Sequence, residues 1–361
     1  MTRYTLHHIF YNFDIGGAQK RLGDFIDYTS DVFTHYITAL NGDYSHLTKN
    51  NLNATIYTIP YTKGKLLDNV KTLKRYIKAL NADCVLTHNF GTLEGIIANT
   101  PQIIPHIHNE DGFGVDEQQH LKWQRNWLRR LFLMGKTTIV PSQTLEKIAK
   151  TYWQTYNHKI LFVPNGVPEF DIYTQCPFDN HGKITIGTVA ICRPEKNLKA
   201  FITMIATLKQ KNIPVFGVLV GDGSELHHLK DYATSLNLTE QDFLFAGHQE
   251  NHRAFTAFFD IFALSSVTEQ QPFGVLDAMA AGLPVIATNV GDIFNMVSSD
   301  NQQFIDNNIF DSNINKIIAL MDNSDLRKHI GHSNLNKYHQ NYQLSQSLEM
   351  RKQIILKLSS I

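Results

Sequence analysis

Two carboxylates and a predicted helix start lie close together in residues 265–292. Glu269 and Asp277 are separated by seven residues, and Pro272-Phe273-Gly274 lies between them. The proline and the later Gly282 predict a short helix with its main run over residues 275–281. The amide groups of Phe273 and Gly274 would point out of the helix start, where they can bind an anion. The spacing therefore predicts a helix N-terminus that can bind an anion and that has a carboxylate side chain on either side of it.

A nucleotide that carries a sugar needs such a combination from one binding edge. One carboxylate would hold the sugar hydroxyls, the free amides the diphosphate, and the second carboxylate the ribose diol. Acidic residues hold a ribose beside a phosphate-binding helix in other α/β nucleotide-binding domains. An ordinary amphipathic helix with two solvated acids has the same spacing, so the spacing alone leaves both interpretations open.

Two cations lie near the start of the second half of the chain, in Cys192-Arg193-Pro194-Glu195-Lys196-Asn197. They follow a predicted strand, and positive charge here could neutralise a diphosphate leaving group. Arginine suits bidentate phosphate contacts, whereas lysine acts as a point charge. A solvated loop of mixed charge is the alternative.

The elements that must position these residues alternate between apolar runs and helical patterns, which predicts βαβ units and parallel sheets. The segment Pro164-Asn165-Gly166-Val167 and the polar loop after it interrupt this alternation, so we expect the domain boundary there. The α/β pattern begins again at residue 184, which predicts two similar domains. The expected strands cover residues 4–11, 52–59, 84–88, 103–109, 137–140, 160–163, 184–190, 215–220, 243–246, 261–264 and 285–288.

The predicted strand over residues 103–109 ends in polar side chains. Alternation places His106 and His108 on one face, and the carboxyl end of a parallel strand would project them into a ligand-binding crevice. Unremarkable imidazoles on a polar strand edge are the alternative. The loop 112–119 that follows is acidic and contains glycine, so we expect it to be an acceptor lid. Near the N-terminus, Gly16-Gly17 forms a strand-to-helix turn that lets the backbone approach a bound group, or that is merely structural.

Residues 121–134, LKWQRNWLRRLFLM, predict a basic amphipathic helix. Four apolar residues recur at helical spacing, with four basic residues around them: Trp123, Trp127, Leu128 and Leu131, and Lys122, Arg125, Arg129 and Arg130. Such a helix can lie on an anionic membrane surface. We favour the second interpretation, in which the apolar stripe packs on the sheet and the basic face is solvated, because tryptophans fill cores well.

Composition limits the classes of function. The 361 residues suffice for two domains, and 33 basic against 33 acidic residues give no net field that favours nucleic acid. Three scattered cysteines are expected to be buried thiols in a reducing compartment. The N-terminus does not resemble a signal peptide, and no run reaches the ~18 apolar residues of a membrane span. We therefore expect a cytoplasmic protein, with contact at the inner face of the membrane left open.

Residues 265–292 resemble the signature of family 4 of the retaining glycosyltransferases. That pattern has two glutamates separated by seven residues, followed by Ala-Met-Ala-x-Gly-x-Pro-Val. Here Glu269, seven residues and Asp277 precede Ala278-Met279-Ala280-Ala281-Gly282-Leu283-Pro284-Val285, so an aspartate replaces the second glutamate. The family's Pro-Glu-Lys turn matches Lys196. Its arginine would lie at Ile191, and we assign Arg193 as the substitute.

The resemblance covers essentially the full chain and implies the fold and the reaction. The fold would be α/β, with two Rossmann-like domains facing a central cleft (the GT-B fold). An acceptor domain would span 1–168 with a C-terminal helix, 343–361, crossing back onto it, and a donor domain would span 169–342. The enzyme would move a hexose with retention from a UDP- or GDP-linked sugar to a hydroxyl acceptor, in surface polysaccharide or lipid-linked glycan synthesis. It would use neither metal nor cofactor.

The resemblance also implies roles for the candidate residues. The catalytic group is Glu269, Lys196, Arg193 and His108. The donor-binding group is Gly16, Gly17, Phe273, Gly274 and Asp277, and His106 and Asn109 would contact acceptor or sugar. Two alternatives stay open: a nucleotide-sugar epimerase of the same architecture and an inactive sugar-nucleotide-binding partner subunit. A glycoside hydrolase that uses two carboxylates is disfavoured, because Glu269 and Asp277 flank a helix start suited to phosphate.

Overall fold

The computed structural model describes residues 3–14, 16–45, 47, 51–113, 122–155, 158–311 and 313–359. The chain divides into two compact units. The first unit is Met1–Asn165 with Ser345–Ile361, and the second is Gly166–Leu344. The division falls inside the Pro164-Asn165-Gly166-Val167 segment. Each unit contains one parallel sheet with helices packed on it, which confirms the predicted fold class of two α/β domains.

The first unit has a seven-stranded parallel sheet in the order β3-β2-β1-β4-β5-β6-β7. Its strands are β1 Tyr4–Phe10, β2 Phe33–Ala39, β3 Thr55–Ile56, β4 Cys84–His88, β5 His106–Asn109, β6 Thr137–Val140 and β7 Lys159–Phe162. Its helices are α1 Gly17–Thr29, α2 Leu66–Leu80, α3 Leu93–Ala98, α4 Trp123–Phe132 and α5 Gln143–Tyr152.

The second unit has a five-stranded parallel sheet in the order β10-β9-β8-β11-β12. Its strands are β8 Ile184–Val189, β9 Val215–Val220, β10 Phe243–Gly247, β11 Ile261–Leu264 and β12 Val285–Ala287. Its helices are α6 Leu198–Gln210, α7 Leu226–Ser235, α8 His252–Thr256, α9 Phe273–Ala280, α10 Ile293–Met296, α11 Ile314–Asp322 and α12 Ser324–Asn341.

The final helix, α13 Leu344–Ser359, starts at the end of the second unit and packs on the first. Ser347 Oγ donates a 2.6 Å hydrogen bond to the carbonyl oxygen of Pro164, and Arg351 Nη2 donates a 3.2 Å bond to that of Val163. The terminal helix therefore belongs with the first unit.

Burial on both sides of the second sheet explains why its strands read as continuous apolar runs. Every residue of β9 and β11 is buried. One apolar cluster, which includes Phe201 and Ile205, covers one face, and another, which includes Val275 and Met279, covers the other. A parallel sheet covered on both faces needs such runs rather than strict alternation.

Three sequence expectations need correction. The helix of the acidic segment begins at Phe273, and Pro272, expected as its first helical residue, is instead an extended N-cap. The strand expected over residues 52–59 is only the two-residue β3 at the edge of the sheet, and it pairs with β2, a strand that was not predicted. Cys84 and Cys192 are buried as expected, but Cys176 is exposed.

Candidate functional site

The candidate site lies at the carboxyl edge of the second sheet, where the loops after β8, β9, β11 and β12 meet. Main-chain hydrogen bonds join these loops. Cys192 donates to Asp222, Val267 to Glu195, and Asp292 to Gln270, each over 2.9 Å. Because parallel strands end at the same edge, residues far apart in sequence come together here.

Glycine is required where two of these loops touch. Gly221 and Gly223 have φ of +145° and +154°, and a Cβ there would lie 1.8 Å from the Ala190 oxygen and 2.5 Å from the Cys192 oxygen. Side chains at these two positions would push the loop after β9 away from the loop after β8. The loop after β8 carries Arg193 and Lys196, so the glycines help to place both cations.

Lys196 and Glu269 are in direct contact, although 73 positions separate them in sequence. Lys196 Nζ lies 2.6 Å from Glu269 Oε1, and Ser266 Oγ donates a 2.7 Å hydrogen bond to the same oxygen. The two charged side chains are 24% and 11% exposed, so the pair sits at a partly open surface. Ser265 Oγ donates to the Lys196 carbonyl oxygen over 3.0 Å and fixes the turn.

The start of α9 supplies main-chain donors at the same edge of the sheet. The amides of Val275 and Leu276 donate to the Pro272 oxygen. Those of Phe273 and Gly274 have no hydrogen-bond acceptor among the residues that the structure describes. A Cβ at Gly274 would lie 3.0 Å from Phe262 Cζ, so the absence of a side chain keeps α9 close to β11. These two amides are available to an anion.

Arg193 precedes the short 3-10 turn Pro194–Lys196 and is exposed. Its guanidinium makes no hydrogen bond or ion pair within the described residues, whereas Lys196 on the same turn is engaged by Glu269. Ile191, at the position of the family arginine, is 42% exposed. The turn thus presents one paired and one solvated cation at the same sheet edge.

Asp277 lies inside α9 as predicted, but its carboxylate is already occupied. Asp277 Oδ2 lies 3.1 Å from His252 Nε2, and Oδ1 lies 3.1 Å from Arg253 Nε. The aspartate side chain is only 7% exposed. Sequence reasoning did not single out His252 or Arg253. Two basic residues at the start of α8 were the available signal, but nothing in the spacing paired them with Asp277.

His106 and His108 share one face of β5, as the alternation predicts. Thr87 Oγ1 lies 2.9 Å from His106 Nε2 and 2.9 Å from His108 Nδ1. The prediction that they project into an open crevice is wrong, because the two side chains are 2% and 0% exposed. The network continues to Asn99, 3.1 Å from His106 Nδ1, and to Glu110, 3.3 Å from His108 Nε2. Burial lowers the pKa of His106 well below its usual value.

Asn109, at the end of β5, is also buried, and its Oδ1 accepts a 3.3 Å hydrogen bond from Arg351 of α13. At the first strand-to-helix turn, Gly16 is the N-cap of α1 and Gly17 is its exposed first residue. A Cβ at Gly16 would lie 2.6 Å from Gln19 Oε1. Most of the predicted acceptor lid, residues 114–119, lies outside the described residues.

Two family models match the chain, one in each unit. Residues 15–169 match "Glycosyltransferase Family 4", and residues 174–336 match "Glycosyl transferases group 1". The chain belongs to the family 4 glycosyltransferases. The resemblance seen in residues 265–292 therefore extends over both units of this glycosyltransferase.

Individual proteins agree with the assignment. The UDP-Gal:alpha-D-GlcNAc-diphosphoundecaprenol alpha-1,3-galactosyltransferase of Escherichia coli is 26% identical over 285 residues, 72% of this chain and 71% of that protein. The glycosyltransferase of Rickettsia africae has a TM-score of 0.79 at 17% identity, with 99% of both chains covered. Anabaena HepE in complex with UDP and glucose has a TM-score of 0.78 at 18% identity, covering 99% of this chain and 100% of HepE. The two-Rossmann GT-B fold that the resemblance implies is confirmed.

Helix α4 of the glycosyltransferase is turned opposite to the favoured expectation. Trp123 is 74% exposed and Trp127 56%, so the apolar stripe does not pack on the sheet. The buried residues of the helix are Asn126 and Arg129. Trp153 Nε1 donates a 2.7 Å hydrogen bond to Asn126 Oδ1, and Arg129 Nε lies 2.9 Å from Glu110 Oε2. These polar contacts hold the helix with its aromatic stripe in solvent.

No helix in the described parts of the chain is both long enough and apolar enough to cross a bilayer.

Proposed function

We propose that the glycosyltransferase moves a hexose from a nucleotide diphosphate sugar to a hydroxyl acceptor with retention of the anomeric configuration. The observation that carries this proposal is the Lys196–Glu269 pair at the same sheet edge as the free amides of Phe273 and Gly274. The carboxylate at this sheet edge suits the sugar hydroxyls of the donor. The cation and the two main-chain donors suit its diphosphate, on which negative charge develops during the reaction.

In the proposed reaction the bond between the anomeric carbon and the diphosphate oxygen breaks, and its electron pair stays with the oxygen. Lys196, the exposed Arg193 and the two amides stabilise the charge that develops there. Glu269 Oε2 is left for the sugar hydroxyls, because Oε1 is engaged by Lys196 and Ser266. The acceptor oxygen attacks from the face that the diphosphate leaves, and its proton passes to the leaving phosphate.

This scheme supplies positive charge from side chains and amides, so we propose a metal-independent reaction. In the first unit we assign acceptor binding to the region around β5. His106, His108 and Asn109 are buried there, and we propose that the His108–Glu110 network shapes that region. The exposed Gly17 with Gly16 offers a second helix start for a bound group.

Related proteins support a lipid-linked or polysaccharide acceptor and a UDP-linked donor. The E. coli relative is described as acting on a diphosphoundecaprenol-linked sugar with UDP-Gal, and the HepE structure contains UDP and glucose. We therefore propose a UDP-hexose donor and a glycan acceptor, with GDP-sugars as the comparison in the assay.

We further propose peripheral contact with an anionic membrane through α4. Lys122 and Arg130 are exposed beside the aromatic stripe, and residues 122–134 contain no acidic side chain. Indole rings flanked by cations suit the boundary between headgroups and acyl chains. An acceptor on a lipid carrier would then be presented to the enzyme at that surface.

Transfer assays test the proposed reaction. Lys196→Ala should slow hexose transfer by about a hundredfold or more, because the variant loses charge opposite the leaving diphosphate. Lys230→Ala, which removes an exposed lysine from α7, is the matched control and should retain full turnover. Unchanged turnover in Lys196→Ala would remove this residue from the role. Conversion of donor without any acceptor would favour the epimerase.

A further inference from the structure

The contacts of Asp277 leave little of its carboxylate for a ligand. One oxygen meets His252 and the other meets Arg253, and the side chain is 7% exposed. Aspartate is also one methylene shorter than the glutamate of the family signature. A ribose that approached this position would meet the neighbouring side chains before it reached the carboxylate.

Arg253, which contacts Asp277 Oδ1, is itself held in place by its neighbours. Its Nη1 and Nη2 donate 2.8 Å hydrogen bonds to the carbonyl oxygens of Glu169 and Pro168, and its guanidinium carbon lies 4.4 Å from the centre of the Phe170 ring. These contacts fix the guanidinium, and the guanidinium fixes Asp277 Oδ1. The carboxylate is therefore not free to rotate towards a ligand.

His252 is the outer member of this group. It is the first residue of α8, its side chain is 25% exposed, and its Nε2 lies 3.1 Å from Asp277 Oδ2. Its other ring nitrogen, Nδ1, has no hydrogen-bond partner in the described parts of the chain. A carboxylate beside Nε2 favours the tautomer with the proton on Nε2, so Nδ1 carries a lone pair that can accept a hydrogen bond.

We propose that His252 contacts the ribose of the nucleotide donor, with its Nδ1 accepting a hydrogen bond from a ribose hydroxyl. Asp277 is then a positioning residue that sets the tautomer and orientation of the imidazole, as outer carboxylates do for histidine ligands of metals. The inference rests on the proposed function, because it concerns the same donor site. It differs from the family pattern in the residue that contacts the ribose. The imidazole of His252 makes the contact in place of the carboxylate, which is one methylene shorter here than in the family.

A purely structural role for His252 is the competing explanation. In that case the imidazole only ties α8 to α9 through Asp277. Two amide substitutions separate the roles. His252→Gln can place an amide nitrogen near the position of Nε2 and keep the Asp277 contact, but it removes the acceptor at Nδ1. His252→Asn keeps a polar group near Nδ1 and loses the Asp277 contact.

The experiment measures the binding of UDP and of 2′,3′-dideoxy-UDP to the full chain by calorimetry, with His228→Ala on the exposed face of α7 as control. We expect His252→Gln to melt like the parent protein yet to bind UDP about tenfold more weakly. The affinity for dideoxy-UDP, which has no hydroxyl to donate, should be unchanged. His252→Asn should bind UDP better than His252→Gln.

Two results would overturn the inference. One is a His252→Gln variant that binds UDP as tightly as the parent protein. The other is equal weakening of UDP and dideoxy-UDP, since the ribose hydroxyls would then be irrelevant. A parent protein that binds neither UDP nor GDP would instead contradict the proposed function, so the two failures are distinguishable.

Discussion

Arg129 and Glu110 form an ion pair in the interior of the first unit, with side chains 1% and 0% exposed. The Arg129 guanidinium carbon also lies 4.6 Å from the centre of the Phe90 ring and 4.8 Å from that of Trp153. Burial acts to raise the pKa of Glu110, but the charge of Arg129 and the hydrogen bond from His108 bring it below its usual value. Glu110 is therefore ionised at neutral pH, and its buried negative charge is stabilised by Arg129.

Arg129→Met should lower the free energy of unfolding by about 3–5 kcal/mol, because it leaves a buried carboxylate without its cation. Arg130→Met is the matched control on the exposed face of the same helix and should change stability by less than about 0.5 kcal/mol. Urea unfolding followed by tryptophan fluorescence measures both. Equal losses in the two variants would contradict the account of the pair, and Glu110→Gln combined with Arg129→Met should recover part of the loss.

At single residues, sequence reasoning can single out the positions that the family pattern specifies. Glu269 and Lys196 were both singled out, and the fold places them 2.6 Å apart. The partners of Asp277 were not foreseen, because His252 and Arg253 lie on another helix and no local spacing links them to it. His108 is likewise hydrogen-bonded to a residue distant in sequence, Thr87 of β4.

Helix α4 illustrates what periodicity can determine about an element. The spacing of Trp123 and Trp127 predicted a helix, and a helix forms there. Periodicity does not reveal which face is buried, since both faces of this helix carry large side chains. Residues distant in sequence decide which face is buried. Arg129 pairs with Glu110 and Asn126 accepts a hydrogen bond from Trp153, so the indoles of Trp123 and Trp127 face outward.

Removing the indoles should weaken membrane binding. We expect the double variant Trp123→Ala, Trp127→Ala to lose about tenfold or more of its affinity for vesicles of phosphatidylglycerol and phosphatidylcholine, because buried apolar area and charge attraction both contribute. Flotation or sedimentation measures it. Tyr152→Ala, which removes another exposed aromatic of the first unit, is the control. The membrane proposal is wrong if the double variant has the same vesicle affinity as the parent protein, or if the parent protein does not bind vesicles that contain anionic lipid.

At the scale of the whole molecule, the described residues of the first unit include six buried histidines with lowered pKa values. Burial lowers the pKa of His35 and of His158 to about 4, and that of His7 to about 3. The pKa values of His8, His88 and His106 lie well below the ordinary value, again chiefly through burial. Each imidazole is therefore neutral in the folded unit under conditions where the unfolded chain would bind a proton.

Acid should destabilise the first unit before the second. The stability from these groups is complete above about pH 6.5 and is lost as the pH falls from there through about 4, because the unfolded chain takes up the protons. At pH 5 the loss is about 2 kcal/mol for each of His35 and His158. All three tryptophans, Trp123, Trp127 and Trp153, lie in the first unit, so their fluorescence follows that unit alone.

Urea titrations at pH 7.5 and pH 5 test this difference. The fluorescence midpoint should fall clearly at pH 5, while circular dichroism should show a second transition that moves less. A dichroism curve that shifts as much as the fluorescence curve would refute the assignment of acid sensitivity to the first unit.

The overall plan was predictable because parallel strands covered on both faces leave continuous apolar runs, as in β9 and β11. The unpredicted β2, FTHYITA, interleaves His35 and Thr38 with apolar residues. These polar groups are buried and bonded to His8 and His7 of the neighbouring strand. The long helix α12 buries only Ile330, Gly331, Asn334 and Tyr338, so its apolar stripe is too thin to stand out.

A crystal structure of the protein soaked with UDP tests the central claim most directly. The account predicts that the diphosphate accepts hydrogen bonds of about 3 Å from the amides of Phe273 and Gly274, with Lys196 alongside and the ribose next to His252. A nucleotide bound away from the carboxyl edge of the second sheet, with no contact to α9 or Lys196, would contradict it.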